Sequence, residues 1–162
     1  MKAVGLASLA AVLIQPFVFV LRLLPEFWGA RLPNMNEVEF FLFAIVLVSL
    51  AHVLILGIPL FLLLRRFGRA NWTTLSIGGF VAGFIPSAVV GWPRFLKGYS
   101  SGGNWHGRHV EFYLDGVPTN YAWLAYLQDT FQFGIHGLVG GLVFFLVWKK
   151  MNQSNSALQP PT

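Results

Sequence analysis

Four long apolar runs alternate with polar connections along this chain. Positions 3–24, 40–64, 72–95 and 127–148 are dominated by Leu, Val, Ile, Phe, Ala and Gly. Each is about as long as, or longer than, the roughly 20 residues an α-helix needs to cross the hydrocarbon of a bilayer. The pattern predicts an all-α membrane protein, a four-transmembrane-helix bundle. Pro16 falls within the first run and predicts a kink, because proline lacks the backbone donor. Gly57 and Pro59 predict a bend in the second.

The connections differ in kind. Positions 25–36 hold Pro25, Pro33, Asn34 and Asn36, all turn formers. Arg65-Arg66-Phe67-Gly68-Arg69 is a tight basic turn. Positions 97–126 form a long polar stretch that opens on Ser100-Ser101-Gly102-Gly103-Asn104, the composition of a flexible segment. Val110, Phe112 and Leu114 then alternate with His109, Glu111 and Tyr113, the period of a half-buried strand. Asp115-Gly116 is a strong two-residue hairpin turn. Val117 to Tyr121 would return as a strand that Pro118 confines to an edge. A small β-hairpin lying on the bilayer surface is expected here, and a polar, disordered tail over 151–162.

Composition agrees with lipid as the solvent. Charged residues make up 10% and hydrophobic residues 56% of the chain, against roughly 25% charged in soluble domains. The net charge of +5 does not point to nucleic acid, because the bases gather at the ends of apolar runs. The absence of cysteine removes disulfides, thiolate metal sites and thiol redox chemistry. Lys2 ahead of the first run also describes a signal peptide, but the run is too long for a signal core and no small-x-small cleavage site follows, so a retained helix is expected.

Charge sets the expected orientation. With both termini cytoplasmic, the inner side holds Lys2, Arg65, Arg66, Arg69, Lys149 and Lys150 and no acid. The outer side receives Glu26, Glu37, Glu39, Glu111, Asp115 and Asp129, with Arg22, Arg31, Arg94, Lys97 and Arg108. The bases cluster next to span ends on one side, the positive-inside arrangement, and the small size and compact loops suggest a bacterial inner membrane. Trp28, Trp92 and Trp123 would mark the outer interface, and Trp72 and Trp148 the inner. The sequons at Asn71 and Asn152 fall on the inner side and are discounted.

Candidate chemistry lies within the spans. Asp129, Gln132, His136 and Gly140 share one face of the fourth helix. His52 on the second span and His136 on the fourth fall about 15–18 Å deep at 1.5 Å per residue, with Gln15, Ser49 and Gln132 at similar depth. The plainest reading is a polar layer that ties the bundle together at about 1 kcal/mol per contact. Two others stay open: bis-histidine ligation of haem b by His52 and His136, and a proton or solute path with Asp129 at its mouth. Gly79 and Gly83 offer a small-residue groove to Gly137 and Gly141, for packing within the bundle or for oligomerisation. His106, His109 and Glu111 are loop residues, and no metal site is expected of them. No Ser–His–acid spacing, carboxylate pair or phosphate-binding glycine loop is present, so no catalytic residue is assigned and an enzyme is not expected. The expected function is contact with a protein partner through the aromatic outer loop 97–126 or the glycine faces. The alternatives are a haem-binding electron carrier and a small proton-coupled transporter.

Overall fold

The computed structural model describes the backbone of residues 2–27 and 35–157, and the side chains of residues 2–21 and 38–154. The chain is mostly helical with one small antiparallel sheet. In order it forms α1 (Lys2–Leu13), α2 (Gln15–Phe27), α3 (Met35–His52), a π-helical turn (Val53–Gly57), α4 (Ile58–Arg66), α5 (Trp72–Val90), β1 (Ser101–Trp105), β2 (Arg108–Leu114), β3 (Val117–Pro118) and α6 (Asn120–Ala157). Four stretches are long and apolar enough to cross a membrane: Lys2–Leu21, Val38–Arg66, Trp72–Val90 and Asn120–Ser154. Arg22, Glu26, Trp28, Arg31, Glu37 and positions 158–162 lie outside the residues with described side chains.

Both bends have local causes. Pro16 cannot donate to the preceding turn, and the helix breaks at Ile14, whose carbonyl accepts from both Phe17 and Val18. Pro59 has the same effect in the second span. There the chain widens into the π-turn, closed by the Ile58 N–H on the Val53 carbonyl.

The helix bounds depart from the hydropathy runs at several places: α2 runs on to Phe27 and α3 starts at Met35, five residues before position 40. α5 stops at Val90, five residues short of 95, because Trp92 precedes Pro93 and is pushed out of helical geometry. α6 begins at Asn120, before the apolar run, because the Thr119 hydroxyl accepts from the Ala122 N–H at 3.4 Å. This cap also cuts the returning strand to Val117–Pro118, where the alternation carries it to Tyr121. At its other end α6 runs past Lys149-Lys150 to Ala157, since neither glycine nor proline interrupts the polar residues there.

The sheet has three strands in the order β1-β2-β3. The Asp115-Gly116 turn joins β2 to β3 in the expected register. The segment read as flexible is instead β1, paired with β2 across His106-Gly107. All four turn residues have positive φ: His106 50°, Gly107 79°, Asp115 47° and Gly116 84°. Two consecutive positive-φ residues match the right-handed twist of a hairpin. Ser100 to Asn104 resemble a linker in composition, yet strand pairing needs backbone groups rather than side chains. The sheet packs on the first turns of α6, with Val110 and Ala122 buried.

Among the described residues α5 and α6 form the most extensive helix–helix contact, and α1 lies along α6. The α1 face is Ala3, Ala7 and Ala11, all buried. Near the arginine turn Phe61 is buried against Phe144 at 4.9 Å and Trp148 at 5.1 Å between ring centroids. Arg65, Arg66, Arg69, Lys149 and Lys150 are exposed at this end.

Asn71 caps α5. Its Oδ1 accepts from the Thr74 N–H at 2.9 Å, and the Thr74 hydroxyl accepts from the Asn71 N–H at 3.3 Å. Asn71→Ala should lower stability by about 1 kcal/mol, measured as the shift in unfolding midpoint in detergent micelles. Asn71→Asp should retain most of it.

Candidate functional site

A cavity of about 320 Å³ lies among the four long helices. Ala11, Gln15 and Phe19 approach it from α1 and α2, Ile45, Ser49 and His52 from α3, and Gln132, His136 and Gly140 from α6. These are i, i+4 and i+7 or i+8 positions, so each helix offers one face. The remaining walls are apolar, including Val48, Leu56, Ala82 and Phe133.

Gln15 is the best-anchored of the polar groups. It is buried, at 6% exposure, immediately before the proline that breaks the first span. Its Nε2 donates to the Ala11 carbonyl at 3.0 Å and to the His136 carbonyl at 3.3 Å. Those two acceptors establish which end of the amide is nitrogen. Its Oε1 must then accept, and His136 Nδ1 donates to it at 2.7 Å. His136 is thereby held as the Nδ1–H tautomer when neutral. One side chain thus supplies a donor to the kinked first helix and orients an imidazole on α6. Gly140 leaves the space, since a Cβ there would come within 3.0 Å of Gln15 Nε2.

His52 is half-buried, with Nδ1 3.3 Å from the Val48 carbonyl one turn back on α3. A carbonyl can only accept, so this ring also donates from Nδ1. The π-turn starts at the next residue, and such turns recur at functional sites. Ser49 and Gln132 are half-buried on the same cavity.

Aromatic rings stand at both ends of the cavity. Toward the sheet, Phe19 and Phe41 stack at 6.4 Å. Toward the arginine turn, Phe61 and Phe144 meet at 4.9 Å. Sideways, α3 packs chiefly on α1 and α2, and the cavity separates it from the α5–α6 pair. None of the residues in the most apolar window of the second span is buried.

The other candidates fall elsewhere. Asp129 is exposed and does not line the cavity. Gly79 and Gly83 face Gly137, Phe133 and Gly141 across the α5–α6 contact, and these glycines also edge the cavity. His106 Nε2 donates to Gln128 Oε1 at 3.0 Å. His109 and Glu111 lie on β2, and among the described residues no three His, Cys, Asp or Glu side chains are grouped as metal ligands. The aromatic pairs and the π-turn are not evident from hydropathy; the Gly57-x-Pro59 pair is the only local signal of the latter. No protein-family model matches the chain, and no curated protein and no solved structure is significantly similar to it. The site must therefore be read from its own chemistry. Among the described residues that line the cavity none is a carboxylate or a cysteine, and its titratable groups are His52 and His136. It offers apolar walls with a few hydrogen-bonding groups, the usual character of a small-molecule pocket.

Proposed function

We propose that the chain is a four-span protein of a bacterial inner membrane, with both termini cytoplasmic, that holds a lipophilic small molecule in the central cavity. The observation that carries this reading is the cavity itself: hydrogen-bonding side chains from three helices face an otherwise apolar space with aromatic rings at its two ends. A guest would enter sideways from the acyl chains, past α3, and would be mostly apolar with one or two polar groups for Gln132, Ser49 or His52. The many large apolar side chains on the outside, Phe17, Phe43, Ile55 and Val90 among them, support lipid as the surroundings.

Haem b remains the second reading. His52 and His136 each donate Nδ1–H to a carbonyl oxygen, the way ligating imidazoles are commonly oriented. In that case Nε2 of both rings would face the iron. Partner contact through residues 97–126 ranks below these, because the aromatic rings that suggest it touch one another. Trp105 meets Tyr121 at 5.6 Å, Tyr99 meets Tyr113 at 5.4 Å, and Trp92, Trp123 and Tyr126 form a cluster.

One extraction tests both readings. Protein purified in mild detergent should carry a lipophilic compound detectable by mass spectrometry of its organic extract. Ala82→Phe, which fills the cavity, should lower the amount at least ten-fold with the fold intact by circular dichroism. An iron porphyrin in that extract would favour haem. Equal amounts of every extracted compound from both proteins would refute a cavity ligand.

A further inference from the structure

The β1–β2 hairpin bears a second, smaller feature. Its tip is His106-Gly107, and it is tied to α6 by the bond from His106 to Gln128. Gln128 lies eight residues beyond Asn120, where α6 begins, and so about 12 Å along the helix axis. The hairpin therefore hangs along α6 toward the apolar part of the helix. The opposite turn, Asp115-Gly116, stays near the start of α6 and is bonded back to the 96–99 segment through Leu96 N–H on the Gly116 carbonyl at 2.9 Å. The tip reaches the level of an aromatic belt formed by Trp92, Trp123 and Tyr126, with ring centroids 5.4–6.0 Å apart. Tyr126 is held there by its hydroxyl, which donates to the Ala88 carbonyl at 3.1 Å.

Beside the tip, Trp105, His106, Arg108, Val110 and Tyr121 line a shallow, open recess. Trp105 packs edge-on against both His106 at 4.5 Å and Tyr121 at 5.6 Å. Arg108 is exposed there, and among the described residues no carboxylate lines the recess. We propose that this recess binds the phosphate group of an outer-leaflet phospholipid, Arg108 clasping the phosphate oxygens while Trp105 and Tyr121 flank the glycerol. The inference rests on the membrane reading above, because it needs α6 to cross a bilayer. Three features then converge on a headgroup. Amphipathic rings at this level are those that settle between hydrocarbon and water. A planar guanidinium forms two parallel bonds to a phosphate. Among the described residues that line the recess Arg108 is the charged one, and its charge suits an anion.

The absence of native cysteine permits a clean test. Single cysteines at Asn104, beside the tip, and at Leu54, on the exposed face of the second span, would carry spin labels in full-length protein reconstituted in phosphatidylglycerol vesicles. Relaxation by oxygen and by a water-soluble nickel chelate then gives their depths. The Asn104 label should sit at the phosphate level and the Leu54 label in hydrocarbon. Native mass spectrometry with added phosphatidylglycerol should show retention weakened about five-fold by Arg108→Gln and largely kept in Arg108→Lys. A Leu54 label in water would overturn the membrane reading itself. A Leu54 label in hydrocarbon with the Asn104 label in water would overturn the headgroup contact alone, as would retention unchanged in Arg108→Gln. Displacement of the lipid by millimolar inorganic phosphate would mark the recess as a site for a soluble anion and refute the lipid assignment.

Discussion

Gly137→Ala is expected to force α5 and α6 apart and to cost about 1–3 kcal/mol of stability. A Cβ at this position would lie 2.0 Å from the Gly79 carbonyl oxygen, and one at Gly79 would lie 2.2 Å from the Gly137 oxygen. Real Cβ atoms do not approach backbone that closely, and a helix backbone cannot swing aside as a side chain can. Gly83 and Gly141 extend the same contact, each with 2.2 Å to a carbonyl oxygen, of Phe133 and Leu75 respectively. Close approach lets two helices gain packing where lipid supplies little hydrophobic drive between them. The two central glycines should be strongly coupled. One separation of the helices would accommodate both new methyl groups, so Gly79→Ala with Gly137→Ala should cost less than the sum of the singles. Equilibrium unfolding in mixed micelles measures this. Gly5→Ala is the control, because nothing lies within 4 Å of its added Cβ. If Gly137→Ala unfolds no more easily than Gly5→Ala, the two backbones do not meet there.

Gln15→Leu should be the next most damaging change. It keeps the size of the side chain but removes the acceptor of the His136 Nδ1–H, the donor to the Ala11 carbonyl, and the extra donor to the His136 carbonyl, which keeps its place in the α6 ladder. Leaving buried polar groups without partners costs about 1–3 kcal/mol, and a carbonyl freed beside a proline break cannot be satisfied by water in an apolar site. The substitution should also release the imidazole. Nitrogen-15 spectra of labelled histidine should show the His136 Nδ1–H tautomer in the parent protein and a mixture of tautomers in Gln15→Leu. An unchanged tautomer would mean that Gln15 does not orient the ring. Gln15→Glu provides a contrast, because it keeps an acceptor for His136 while removing the donor to the two carbonyls.

The number and placement of the long helices were legible in the chain, because stretches such as 72–90 are apolar without interruption and bounded by polar turns. The Asp115-Gly116 hairpin was legible for a different reason: that dipeptide tolerates positive φ at both positions. His106-Gly107 has the same backbone geometry, but histidine is a weak signal for it, and the glycines of β1 further disguised the strand. Helix ends were less legible, since caps such as Thr119 and Asn71 act through hydrogen bonds that hydropathy does not register. Of the polar residues at one depth, Gln15, Ser49, His52, Gln132 and His136 meet around one cavity. Asp129 shares their helical face yet falls outside it, because a face extends along the whole helix while the cavity ends near the Phe19–Phe41 stack. The hydrogen bond from His136 to Gln15 spans 121 positions of sequence, and no local pattern announces a pairing at that range.

The wide turn at Val53–Gly57 has a consequence for phase. His52 and Phe61 are nine positions apart, and at roughly 100° per residue an unbroken α-helix would point them about 180° from each other. Both nevertheless line the same cavity. The surplus residue accommodated by the π-turn resets the winding, so that a histidine and a phenylalanine destined for opposite sides of a regular rod look into one chamber.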